Sequence, residues 1–440
     1  MTESPNPAAR YPLHFAGWTT LLPIAAAIAQ LTWFYVFSAR PIEVLSDNVR
    51  YEVPGFNLAQ GKGLLFSDGE LRDDTVRGWA CAHSGLGCRP DELYPAAVYP
   101  PGYSVFIAAV YALFGRSLTA LWLSQGVLLL LLSAMFSSVA KKLLTPVGHT
   151  AVLLVWGAYP FVARQMGIIM SDGLHLVLWF GVLWLAVSLR PGVARGVALG
   201  MIAAAAVMTR PYAVICLPFM VAFPSIRRAL DLRLKELVAV GLGGLLVCSP
   251  WWIRNEVVFG RFIPFSTAGL GLSLLMNEVE AEVGSARLLD ADTKQHIEVL
   301  SHEGGDPLSI DVNRSLSDRA FAWIRTHPGT FALQVLSRLP RLWISQGYSG
   351  QGVHPLAPFL AITMGAFAAL GLLGLYLRRH SGHFQLIAAM TVPYWLFLTL
   401  SPAEARRTLP LRLFLLLGAG VLVEVLRPKR SVESGLGDER

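Results

Sequence analysis

The sequence predicts an all-α polytopic membrane protein, with about ten transmembrane helices and amphipathic interfacial helices in two long extracytoplasmic loops. Three observations predict it. Of 440 residues, 54% are hydrophobic and only 15% charged, against about 25% charged in soluble chains, and the mean hydropathy is +0.51. Apolar runs long enough to span a bilayer, or nearly so, recur along the chain. The cations gather in short loops between alternate runs, as the positive-inside bias requires. The net charge of +7 is therefore a matter of membrane orientation. The lipid bilayer is an expected partner and nucleic acid is not.

In order, the runs are 15–38, 118–139, 149–163, 173–189, 194–208, 211–224, 236–252, 355–377, 384–400 and 409–426. The first follows a single cation, Arg10, and is too long for a signal-peptide core, so it reads as a retained span. The runs beginning at 149, 194 and 211 are short of the ~20 residues that a hydrocarbon core requires.

The apolar stretch 100–115 (PPGYSVFIAAVYALFG) decides the topology. If it does not cross, the cytoplasmic loops hold Lys141 and Lys142, Arg190 and Arg195, Arg227, Arg228, Arg233 and Lys235, Arg378 and Arg379, and a tail with Arg427, Lys429 and Arg430. If it crosses, every cluster moves outside, against the bias. Residues 100–115 are therefore expected to form a helix in the outer interface, started by Pro100 and Pro101, within one external loop, 39–117.

A second external segment, 253–354, is mixed polar, with amphipathic stretches at 317–326 and 330–344. In the latter, Phe331, Val335, Leu336, Leu339, Leu342 and Trp343 share a helical face, which suits a membrane surface and equally a small external cap. The chain accordingly divides into a membrane module at 1–252, the external segment 253–354, and C-terminal membrane helices with a cytoplasmic tail at 355–440.

Of four cysteines, Cys216 and Cys248 lie in apolar runs and read as packing. Cys81 and Cys88 lie in the first external loop, where an oxidising compartment favours a disulfide. A zinc site with His83 is the alternative and lacks a fourth ligand.

Several ionisable residues break the charge rule. Arg164, Arg210, Arg254 and the pair Arg406 and Arg407 fall at outward ends of spans. Boundary charges are functional candidates, and the planar guanidinium fork matches phosphate oxygens. Each could instead reach up to lipid headgroups. Two carboxylates share that boundary: Asp47, shortly after the first span, and Asp172, at the outer start of another. Asp172 also suits a helix cap. His175 is one turn from Asp172 on the same helical face, placed to tune it or to pack.

Several of these residues sit in stretches that resemble the GT-C superfamily of lipid-linked-sugar glycosyltransferases, close in pattern to bacterial relatives of protein O-mannosyltransferases and aminoarabinose transferases. The stretches are SDNVRYEVPGFNLAQGKG (46–63), YPPGYSVFIAAVYALFG (99–115), MTRPYAVICLPF (208–219), SPWWIRNEVVFGRFIPFSTAGLGL (249–272) and RRTLPLR (406–412). No one of them is diagnostic; their order and their placement carry the resemblance.

The resemblance implies a catalytic carboxylate in the first external loop, at Asp47, and a second acidic position at Asp172. It implies that Arg210, Arg254, Arg406 and Arg407 hold the donor phosphate. Lys62 could join them or remain a solvated loop lysine. Tyr51, Tyr99 and Tyr103 suit stacking on a sugar or anchoring at the interface. Asn48, where many relatives carry an acid, and Tyr99, where some carry Lys or His, leave the sugar and a divalent metal open.

The implied function is an inverting transfer of a sugar from a polyprenyl-phosphate donor to a lipid, glycan or protein acceptor. The implied site is the periplasmic or exterior face of a bacterial inner membrane. The chemistry agrees with the residues. A carboxylate accepts the acceptor's proton, cations stabilise the departing phosphate, and the apolar tail of the donor remains in lipid. No phosphate loop of Walker type and no HExxH motif is present. The alternatives are a transporter or flippase for a lipid-linked substrate, which would favour internal repeats and mid-membrane charges, and a non-catalytic membrane assembly subunit.

Overall fold

The computed structural model describes residues 13–38, 48–66, 93–266, 270–284, 310–344, 357–402 and 405–426. Apart from a two-stranded antiparallel ribbon of Leu65–Phe66 (β1) and Tyr94–Pro95 (β2), the regular structure is helical. In chain order the first helices are α1 (Leu13–Ser38), α2 (Val49–Ala59), α3 (Gly102–Phe114), α4 (Leu118–Leu143), α5 (Pro146–Ala158), α6 (Pro160–Met166), α7 (Ser171–Ser188) and α8 (Val193–Thr209). A 3-10 segment, Pro211–Cys216, runs into α9 (Leu217–Ala222), followed by α10 (Pro224–Ala229) and α11 (Leu234–Phe259). The external segment supplies α12 (Leu270–Val283), α13 (Ile310–Thr326) and α14 (Pro328–Ile344). The chain closes with α15 (Ala357–Leu377), α16 (Gly382–Leu398) and α17 (Leu409–Leu426).

The protein is thus a multi-pass α-helical membrane protein. Among the described residues, α1, α4, α7, α11 and α17 are each long and apolar enough to cross a bilayer, and α5 with α6 makes a sixth span bent by 53°. The expected runs 194–208, 211–224 and 355–377 hold shorter apolar helices, and α16 occupies 384–400. The 3-10 segment and α9 together reach only about 21 Å, well under the ~30 Å of a hydrocarbon core. Sequence explains the bend at the fifth helix. Pro160 has no N–H to continue it and pushes Tyr159 into extended backbone (φ −99°, ψ 95°).

Caps mark the ends. Ser117 accepts a hydrogen bond from the Ala120 N–H at the start of α4, and Thr145 accepts one from Gly148 at the start of α5. Burial then sorts the spans. Seventy-two per cent of α7 and of α17 is buried, against 17% of Leu21–Ser38 in α1, so α7 and α17 form the centre and α1 faces lipid. Their shared core holds Phe180 stacked on Phe414 at 5.6 Å and Phe136 against Trp156 at 5.3 Å. Cys216 and Cys248 are buried free thiols, as expected of packing residues.

Ion pairs gather at the two ends of the bundle. Where the sequence places the cytoplasmic loops, Arg195 bonds Glu236 at 2.6 Å, Lys142 donates to the Val187 carbonyl, and Arg378 meets Glu424 at 3.1 Å. At the opposite end, α3, an apolar helix of 13 residues, packs on α2 and α4. The external helices are fastened by Arg319 to Glu278 and by a buried network. In that network Arg338 pairs with Glu280 and donates to Asn277 Oδ1 (2.7 Å) and the Thr399 carbonyl (3.1 Å).

The expected apolar face of α14 divides. Leu342 and Trp343 are buried beside Arg338, while Leu336 is exposed together with Leu333. The inward side is thus set by the Arg338 network, and the Leu333–Leu336 side is left for lipid.

Candidate functional site

The site forms where α2, α3, α7 and α8 meet, at the end of the bundle opposite the Arg195–Glu236 pair. Ser171 and Asp172 open α7, and Arg210 directly follows α8. Arg210 NH2 lies 2.7 Å from Asp172 Oδ2, and the two side chains are only 11% and 3% exposed. Arg210 Nε also donates to Ser171 Oγ at 3.2 Å, so one guanidinium spans two consecutive side chains. Burial alone would lower the Arg210 pKa, but the adjacent Asp172 carboxylate outweighs it and holds it above its ordinary value.

The external loop reaches this pair through Tyr51. Its hydroxyl lies 3.1 Å from Ser171 Oγ, its ring stacks on Tyr99 at 4.8 Å, and Tyr103 meets it edge-on at 5.3 Å. Tyr103 is fully buried and shares a 3.1 Å hydrogen bond with Gln125. Burial first, then Tyr51, Tyr111 and Asp172, push the Tyr103 pKa well up, so its phenol stays protonated.

What holds α2 here is a second buried constellation. Glu52 accepts hydrogen bonds from Tyr111 (2.8 Å) and from Arg116 through both carboxylate oxygens (2.9 and 2.7 Å). The Arg116 guanidinium lies over the Phe56 ring at 4.1 Å, and Ser104 donates to the Tyr51 carbonyl. A two-oxygen pairing of this kind fixes orientation as well as distance.

One turn into α7, His175 is fully buried. Its Nδ1 lies 3.0 Å from the Ala206 carbonyl, which makes that nitrogen the donor and leaves Nε2 to accept from Tyr394 at 3.3 Å. Tyr212 packs edge-on against Tyr394 and is reached by Arg407 (3.4 Å). His175 therefore links α7 to α8 and α16.

The expected residues fall into three groups. Asp172, Arg210, Tyr51, Tyr99, Tyr103 and His175 come together, with Arg407 joined through Tyr212 and Tyr394. Arg254 lies apart from these. It donates to the Leu64 carbonyl at 2.9 Å and to Asn255, against the rings of Trp251 and Phe259, so it clamps the segment that leads into β1. Lys62 is exposed just before that segment. Asp47, Cys81, Cys88 and the side chain of Arg406 lie outside the described residues.

Sequence reasoning missed Ser171, Tyr212, Tyr394, Gln125 and the Glu52–Arg116 pair. Ser171 and Tyr212 adjoin Asp172 and Pro211 and could have been suspected from position. Tyr394 sits within an apolar run and carries no local signal. Among the described residues, no three His, Cys, Asp or Glu side chains converge, and Asp172 faces a guanidinium. The described donors do not make a divalent-metal cage.

No family model matches the sequence, and comparison with curated proteins finds no match. Solved structures do match in fold. The oligosaccharyltransferase AglB of Archaeoglobus fulgidus, in complex with an inhibitory peptide and a dolichol-phosphate, aligns over 98% of this chain and 53% of its own, with 13% identity and a TM-score of 0.55. The same archaeal oligosaccharyltransferase in the apo form aligns over 93% of this chain and 50% of its own, with 12% identity and a TM-score of 0.52. ArnT of Cupriavidus metallidurans bound to undecaprenyl phosphate aligns more loosely, over 93% and 78%, with 14% identity and a TM-score of 0.41. The chain spans about half the length of the archaeal structures and shares the fold of the part with which it aligns.

Proposed function

We propose that the protein is an inverting glycosyltransferase that moves a sugar from a polyprenyl-phosphate donor to a lipid, glycan or protein acceptor. We place the reaction at the extracytoplasmic face of a bacterial inner membrane. The observation that carries the reading is the fold: nearly the whole chain superposes on an oligosaccharyltransferase. The docking of the first external loop onto a buried acid–arginine pair at one end of the spans, through Tyr51 and Ser171, agrees with it.

In this reading Asp47 is the general base. It accepts the proton of the acceptor's hydroxyl or amine as that atom attacks the anomeric carbon, and the bond to the donor phosphate breaks on the opposite side. Asp47 precedes by two residues the helix whose Tyr51 reaches Ser171, so α2 is the element that would aim it. Asp172, held by Arg210, orients that helix and the acceptor. Charge developing on the departing phosphate is stabilised by Arg254, Arg406, Arg407 and Lys62. Arg210 contributes chiefly through Asp172, because its guanidinium already spans Asp172 and Ser171. Tyr99, partly exposed, offers the aromatic face beside the sugar, and the buried Tyr51 and Tyr103 back it from the interior. The reacting groups belong to the 1–252 module, Arg254 and the late Arg406–Arg407 pair excepted.

The test is direct. Purified protein is reconstituted in vesicles with a labelled polyprenyl-phosphate sugar and a mixture of lipid, glycan and peptide acceptors. Release of the polyprenyl phosphate with label on an acceptor is the expected result. Movement of intact donor between leaflets without transfer would replace this reading with that of a flippase.

A further inference from the structure

A second feature lies away from this site, where α17 faces the bent span of α5 and α6. Arg412, one turn into α17, is only 8% exposed. Its Nε donates to Thr408 Oγ1 (3.1 Å) and its NH1 to the Tyr159 hydroxyl (2.6 Å). The guanidinium lies over the Phe161 ring at 4.1 Å. Every one of these partners is neutral. The two other arginines buried as deeply, Arg195 and Arg338, each face a glutamate. Among the described residues Arg412 alone of the three has no carboxylate, and an uncompensated buried cation at membrane depth is costly.

Arg412 and Tyr159 also line a groove whose walls are mostly apolar: Val155 and Trp156 of α5, Phe367 and Ala368 of α15, and Leu415 and Leu416 of α17. Trp343 of α14 completes the lining. It is 5% exposed, and among the described residues its indole N–H meets no acceptor. The groove thus combines two unmet demands, a cation without an anion and a donor without an acceptor, with a long hydrocarbon wall. None of its lining residues belongs to the set around Asp172.

We propose that this groove holds one phosphate-headed lipid of the surrounding bilayer, with its phosphate between Arg412 and Trp343 and its tail along α5, α15 and α17. A soluble anion would leave the apolar wall bare, and an uncharged lipid would leave the guanidinium uncompensated. Bound there, the lipid joins the external helix α14 to the C-terminal spans. The inference does not depend on the glycosyl-transfer reading.

Native mass spectrometry of the delipidated full chain tests it, with three probes added in turn: phosphatidylglycerol, diacylglycerol of the same chain length, and inorganic phosphate. One tightly held phosphatidylglycerol per chain is expected, with neither of the other probes retained. Arg412→Gln weakens the binding by about tenfold or more, the worth of a hydrogen-bonded charge. Ala368→Phe fills the groove without touching Arg412 and weakens it as well, which keeps the test decisive should the first variant fail to fold. Trp343→Phe retains the ring, loses only the N–H, and produces a smaller loss. Equal binding of diacylglycerol and phosphatidylglycerol, or undiminished binding in Ala368→Phe, overturns the proposal.

Discussion

The Arg210 guanidinium sits 2.7 Å from the Asp172 carboxylate, and this contact ties the end of α8 to the start of α7. Both side chains are nearly inaccessible, so neither can be left alone cheaply. Removing one partner of such a pair costs about 3–5 kcal/mol, largely because the other charge stays buried without compensation. Arg210→Ala and Asp172→Asn are therefore each expected to lower the melting temperature in detergent strongly. The double variant should lose much less than the sum. Additive losses would show that the two side chains act separately. Arg210→Lys, which keeps charge but loses the fork that also reaches Ser171, should fall between.

Asp47→Asn separates chemistry from architecture. If Asp47 takes the acceptor's proton, transfer in the vesicle assay should drop by about 10²–10⁴-fold, the usual worth of a positioned base. Membrane insertion and melting temperature should match the parent, since the buried bonds that hold α2 come from Tyr51, Glu52 and Ser104. Full activity in the variant would remove Asp47 from the mechanism.

The contrast between these two residues shows what the sequence makes legible. Lysines and arginines in short loops are a one-dimensional signal, and from it 100–115 is expected to lie outside the membrane; the structure shows there a helix of 13 residues packed on α2 and α4. Asp172 and Arg210 were readable as exceptions to that signal, although not as partners, since they are separated by a whole helical hairpin. Helix α2 was not readable. Pro54 and Gly55 interrupt its pattern, yet Gly55 is what lets α2 press on α3, where a Cβ would lie 2.8 Å from Ile107. Arg338 was hidden for a similar reason. Its burial is decided by Glu280 and Asn277, about sixty residues earlier in the chain, and its own helix reads as simply amphipathic.

Arg254 is predicted to order the entry to the β1–β2 ribbon. Its bond to the Leu64 carbonyl is charge-assisted and partly buried, worth about 1.5–3 kcal/mol. Arg254→Ala should speed amide exchange at Leu65 and Ala96, the two N–H groups that bond next to Leu64, while exchange within α7 stays as before. Unchanged exchange at both amides would mean that Arg254 does not hold this segment.

The packing of α8 on α11 offers a test made within one pair of helices. A Cβ placed on Gly200 would fall 2.0 Å from the Val240 carbonyl oxygen, and one on Gly243 would fall 2.3 Å from the Val197 carbonyl oxygen. The two backbones touch because neither position has a side chain, the usual means of close helix association in a bilayer, where apolar burial alone supplies little drive. At Gly241, two residues from Gly243, a Cβ would meet nothing within 4 Å. Gly200→Val is therefore expected to force the helices apart and to cost about 3 kcal/mol or more, together with the Arg195–Glu236 pair that depends on the same approach. Gly241→Val should leave the melting temperature nearly unchanged. Comparable losses in the two variants would mean that the sensitivity lies in the helices themselves and not in the contact between them.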